Sequence, residues 1–127
     1  MKTVELNKIT LTLLEPRIIK MEITGEDPVD INDMYEARTV NLELSGGEKY
    51  CILLDTSQHF LSTTLEVREL TANAQFSKHR LAAAFLVEST ATRLAGTMFI
   101  HFHKPATPTR AFSNEKDALD WLRSYLQ

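Results

Sequence analysis

A second cysteine is missing from this sequence: Cys51 stands alone among 127 residues, which excludes an intrachain disulfide. Stability then has to come from a hydrophobic core, and a domain of roughly 150 residues can bury about two-thirds of its unfolded surface. Also missing is an excess of positive charge. The net charge of -3 gives no general attraction to a phosphate backbone and argues against a nucleic-acid binder. The basic run Lys78-His79-Arg80 is too short to change that and reads as a solvated loop. No apolar run is long enough to span a bilayer, and Met1 to Lys8 lacks the apolar stretch of a signal peptide, so a cytoplasmic protein without membrane insertion is expected. Neither a Gly-rich phosphate loop, a Ser-His-acid order nor a Gly-x-Ser-x-Gly elbow is present, so no catalytic set and no cofactor is expected. Repeats, low-complexity tracts and linkers are absent too, leaving one domain over residues 1–127.

What is present alternates between two periodicities. Ile9-Thr10-Leu11-Thr12-Leu13 and Ile18 to Ile23 have period two and flank a Pro16 turn, which predicts an antiparallel hairpin. Asp30 caps a predicted helix with Ile31, Met34, Tyr35 and Leu42 on one face, interrupted by Arg38, and Ser45-Gly46-Gly47 stops it. Tyr50-Cys51-Ile52-Leu53-Leu54-Asp55 has four apolar residues in a row, as a strand buried on both faces does. In such a strand Cys51 acts as a small hydrophobe, without the exposed electropositive setting that makes a thiol reactive. A helix over about Thr63 to Phe76 and a strand over Arg80 to Val87 follow. Ala91, Leu94, Ala95, Met98 and Phe102 recur at helical spacing behind a Ser89/Thr90 cap, with Phe99 beside them, which predicts a buried stripe. Arg110-Ala111-Phe112 fits a short edge strand. Ser113 then caps a last helix that buries Ala118, Trp121, Leu122 and Tyr125. The predicted order β-β-α-β-α-β-α-β-α is that of an α/β domain with a mixed sheet, an N-terminal hairpin and a parallel portion.

With these elements in place the sequence resembles the STAS superfamily, and within it the SpoIIAA-like branch of small bacterial proteins. The likeness rests on the buried strand closing on Asp55 and a hydroxyl, on Phe60-Leu61-Ser62-Thr63-Thr64 entering a helix, and on the tail from Pro108 through Ala118 to Trp121-Leu122. Similarity to anti-sigma-factor antagonists implies a non-enzymatic regulatory or protein-interaction module. Its phosphoacceptor would be Thr63, and its partner surface would be the Asp55–Thr64 loop, with Ser57, Ser62 and Thr64, together with the helix that follows. Ser62 stands where that family has an acid, and Leu65 where it has a small glycine. A hydroxyl at a helix N-terminus faces unsatisfied N–H groups, where a phosphate is tolerated and would change a partner surface by nearly two charges. The same residues also read as a capping box of Thr63 and Glu66.

The partner would be another protein or a second copy of the chain, making a homodimer. The alternative reading is a carrier of an apolar small molecule or lipid, because SpoIIAA-like domains are grouped by fold with CRAL-TRIO lipid-transfer domains. Met98, Phe99 and Phe102 are the candidate pocket residues for that function. A metal site is not expected: on a helix His101 and His103 point about 200° apart, and His59 and His79 have no ligand-spaced partner.

Overall fold

The computed structural model describes residues 2–55 and 64–127. These residues form a six-stranded sheet in the order β1-β2-β3-β4-β5-β6. The first three strands, β1 (Lys2–Glu5), β2 (Ile9–Glu15) and β3 (Ile18–Ile23), are antiparallel. The parallel portion runs from β3 through β4 (Tyr50–Asp55) and β5 (Arg80–Leu86) to β6 (Thr109–Phe112). The helices are α1 (Ile31–Leu44), α2 (Leu65–Ala72), α3 (Thr90–His103) and α4 (Glu115–Arg123).

The connections explain the layering. Parallel crossovers take one hand, so three successive steps in the same direction place their helices on one face of the sheet. Accordingly Met34 and Ala37 of α1 and Val67 of α2 pack with Ile19, Met21, Ile52 and Ala83, while Phe99 of α3 packs on Phe85 of the same face. Helix α4 follows the last strand and lies across the opposite face, where Ala118 and Leu122 meet Cys51, Leu53, Ala82 and Ala84. Strand β4 is therefore dry on both sides, with Cys51 and Leu53 fully buried, as its unbroken apolar run requires.

Four expectations need correction. β1 was absent from the sequence reading: a short strand with only Val4 apolar gives no periodic signal, and its charge suits a sheet edge. Helix α1 buries Met34, Ala37, Asn41 and Leu44, while Ile31 and Tyr35 are exposed. Helix α3 buries Gly96 and Phe99, and the predicted stripe of Leu94, Met98 and Phe102 faces outward at 59%, 48% and 68% exposure. A Cβ on Gly96 would come within 3.2 Å of the Phe85 ring. Absence of a side chain there lets the helix backbone approach the sheet, a contact that hydrophobicity counting cannot register. Helix α2 spans Leu65–Ala72 and ends four residues before the expected Phe76, and the cap of α4 is one residue later than the expected Ser113. Thr64 caps α2 by accepting the Val67 N–H at 3.2 Å, and Asn114 caps α4 by accepting the Asp117 N–H at 2.9 Å.

Candidate functional site

The strand geometry sorts side chains into two sets. Tyr50, Ile52 and Leu54 alternate onto the face beneath α1, α2 and α3, and Cys51 and Leu53 onto the α4 face. On β5, Ala82 and Ala84 belong to the α4 face, so strict alternation would send Arg80 there too. It does not go there. Tyr50 pairs with Arg80 but Cys51 pairs with Ala82, so one extra residue, Leu81, enters β5 at that point. Leu81 joins Ala82 on the α4 side, and Arg80 turns to the other face beside Tyr50. A bulge that re-aims one side chain in this way is a recurrent feature of functional sites.

Arg80 thereby enters a cavity of about 80 Å³ between the sheet and the three helices. Its walls are chiefly apolar: Met21, Ile52, Leu54, Ala83 and Phe85 from the sheet, Met34 from α1, Val67 from α2, and Phe99 from α3. Arg38, Asn41, Tyr50 and Arg80 supply the polar groups, with Arg68, Thr71 and Ser77 also on the lining. Tyr50 and Arg80 are the first residues of β4 and β5, so this polar cluster sits toward the amino ends of the strands. Asp55, in the partner surface that the STAS resemblance implies, stands instead at the carboxyl end of β4.

Each polar group is held in place differently. Arg38 lies against both rings of the edge-on Tyr35–Phe76 pair, at 5.0 and 4.9 Å from their centroids, and its Nη1 donates to the Phe76 carbonyl at 3.3 Å. The Arg80 Nε donates to Thr107 Oγ1 at 3.0 Å. Burial pushes the Arg80 guanidinium down to about 10, opposed by the nearby Tyr50, and it stays protonated at neutral pH. Tyr50 is raised above its ordinary value, first by burial, with the Asn41 amide and the charges of Arg80 and Arg38 pulling the other way. Asn41 is only 3% exposed, and its Oδ1 has no hydrogen-bond partner. Among the described residues no carboxylate forms an ion pair with Arg38 or Arg80. An orphan buried acceptor and two unpaired guanidiniums around an apolar cavity are what a pocket for an amphipathic small molecule contains.

Of the residues singled out in the sequence, Asp55 is half-buried at the carboxyl end of β4, in register with Glu22 and Leu86. Thr64 is the exposed cap of α2. Ser57, Ser62 and Thr63, and with them the Thr63–Glu66 box, lie outside the described residues. Phe99 lines the cavity as expected of a pocket residue, whereas Met98 and Phe102 do not. His101 is exposed and His103 stacks on Phe99 at 5.2 Å. Among the described residues no cluster of His, Cys, Asp or Glu could hold a metal ion. Burial pushes the Cys51 thiol up to about 11, so it is un-ionised at neutral pH. The sequence reading missed Asn41, Tyr50 and Arg80 as site residues. One signal was available, the interruption of the α1 apolar face by Arg38; Arg80 was hidden within what read as a solvated basic run.

Comparison with known proteins agrees with this architecture. A family described as a domain of unknown function, DUF7793, matches residues 12–126. The chain belongs to that family. Its fold is SpoIIAA-like: a crystal structure of an uncharacterised protein from the DUF3478 family of Shewanella loihica PV-4, described as having that fold, superposes with a TM-score of 0.65. The match covers 96% of this chain and 99% of the other at 15% identity, a likeness of fold alone. A protein of unknown function from Arthrobacter sp. FB24 is similar at 22% identity over 89% of this chain and 97% of its own, with a TM-score of 0.32. No curated protein matches the sequence significantly. Among the described residues of this DUF7793 domain, no helix is long and apolar enough to cross a membrane.

Proposed function

We propose that this DUF7793 domain is a cytoplasmic, non-enzymatic binding module that carries or senses a small molecule with an apolar body and a polar end in the cavity beneath α1, α2 and α3. The observation that supports it is the buried, partnerless Oδ1 of Asn41, a residue on the wall of a chiefly apolar cavity. A buried polar atom left without a partner costs about 1–3 kcal/mol, a cost that a ligand supplying the missing hydrogen bond removes. Native mass spectrometry of protein purified gently from its own cytoplasm tests this. A bound mass that disappears on denaturation is expected, and protein found solely in the unliganded state would contradict it.

A second reading is the interaction module that the STAS resemblance implies. Favouring it is the outward row of Leu94, Met98 and Phe102 on α3, large apolar side chains that the fold leaves uncovered. In this reading Asp55, Ser57, Ser62, Thr63 and Thr64 contribute a neighbouring contact surface to a protein partner or a second copy. Leu94→Glu with Met98→Glu should release such a partner while leaving the melting temperature of the domain unchanged. Retention of the partner by the double variant would remove the α3 surface from consideration.

A further inference from the structure

The polar end of the cavity narrows the ligand to a chemical class, on the footing that the cavity is a binding site. Arg38 and Arg80 bring two positive charges to its wall, and no described carboxylate pairs with either. Taking a guanidinium out of water without a counter-charge is costly, and an anionic ligand group offsets it. Among the described residues Arg80 commits only Nε, to Thr107, and the planar fork of a guanidinium matches a carboxylate in shape and charge.

A carboxylate alone leaves one group unanswered. Asn41 Oδ1 is an acceptor, and an ionised carboxylate has no hydrogen to give it. The ligand therefore needs an N–H or O–H donor close to its acid group. Size sets a further limit. The cavity of about 80 Å³ is close to half the volume, about 150 Å³, of an engineered cavity that accepts benzene, so the buried apolar part is a branched chain of a few carbons.

We infer that the cavity selects small acids with a short apolar body and a hydrogen-bond donor beside the carboxylate, of which a branched α-hydroxy acid is the simplest. The Leu81 bulge is the device that makes this selection, because it brings Arg80 to the face that carries Asn41 and Tyr50.

Nuclear magnetic resonance titrations of the full chain with α-hydroxyisovalerate, isovalerate and isobutanol test the class. The hydroxy acid should bind roughly tenfold tighter than isovalerate, and isovalerate roughly tenfold tighter than isobutanol. Arg80→Met should cut the preference for isovalerate over isobutanol several-fold, with Arg38 retaining the remainder. Asn41→Leu should erase the preference for the hydroxyl alone, and thermal melts of both variants confirm that they fold. Equal affinity for the three probes would overturn the ligand class and leave the pocket standing. Absence of binding by all three to the folded protein would overturn the class and the carrier reading together.

Discussion

Single residues decide where this domain is under strain and where it is inert. Asn41 sits at a helix position that packing would otherwise give to an aliphatic side chain, between Ala37 and Leu44 on the buried face of α1. Replacing it with Leu keeps the number of side-chain heavy atoms and removes the orphan acceptor but also the bond from the amide to Tyr50, so Asn41→Leu should leave stability within about 1 kcal/mol of the wild type. Urea denaturation measures this, and a larger fall in stability would mean that the amide makes a bond essential to the fold. Cys51 is the opposite case. Fully buried, with its Sγ 3.7 Å from the Leu122 carbonyl, it has no access to reagents. A disulfide reagent at neutral pH should label it only in denaturant, and rapid labelling of the native protein would place it outside the core. Both residues also mark how far a sequence can be read. Cys51 was legible because the residues on either side of it are apolar in unbroken succession. Asn41 was not, since a polar residue on a helix is assigned to solvent until its neighbours are known.

At the scale of elements, the same contrast separates β4 from α3. The strand could be placed because burial on both faces shows as an unbroken apolar run, whichever face each side chain takes. The helix could be placed, but its orientation could not: Leu94, Met98 and Phe102 outweigh Gly96 in any hydrophobic count, yet Gly96 lies with Phe99 against Phe85. Gly96→Leu should therefore destabilise the domain by about 1–3 kcal/mol, the usual cost of overpacking. Gly96→Ala should cost far less, because the gain in helix propensity of about 1 kcal/mol offsets a close contact with one ring edge. Melting temperatures of the two variants check the contrast; a neutral Gly96→Leu would show that α3 does not rest on the sheet at this point. The Leu81 bulge belongs to this scale as well. Nothing in Arg80-Leu81-Ala82 announces that the strand breaks its alternation there, so Arg80 looked like the end of a basic loop.

For the whole molecule, the first and last parts of the chain are joined by charge across the α4 face. Arg123 of α4 donates through Nε to both carboxylate oxygens of Glu15 in β2, at 3.1 and 2.9 Å. The hydrogen bond from Arg123 holds the Glu15 carboxyl below its ordinary value of 4.5, against the opposing effect of burial. A depressed carboxylate contributes stability that is present above 4.5 and is lost as the pH falls through its lowered value. The melting temperature should accordingly drop on acidification below that point, and Glu15→Gln should flatten the drop while lowering stability slightly at neutral pH. An unchanged acid profile in Glu15→Gln would assign the acid sensitivity to another group, such as Asp33. There burial raises the carboxyl, but the Asp30 amide and the Lys8 ammonium outweigh it and hold it low. The order of elements from β2 onward was legible at this scale, because alternating periodicities and short connections leave few topologies. The cavity was not, since it is assembled from residues of seven elements that no local pattern relates.

The central claim is that this cavity receives a ligand, and Ala83 on its floor gives the most direct access to it. In Ala83→Leu three added carbons fill the space, and cavity filling commonly raises stability by about 0.5–2 kcal/mol. The measurement is the rise in melting temperature caused by saturating α-hydroxyisovalerate, compared between wild type and Ala83→Leu. A clear rise in the wild type and none in the filled variant is the predicted result; the same rise in both proteins, or no rise in the wild type, would contradict it.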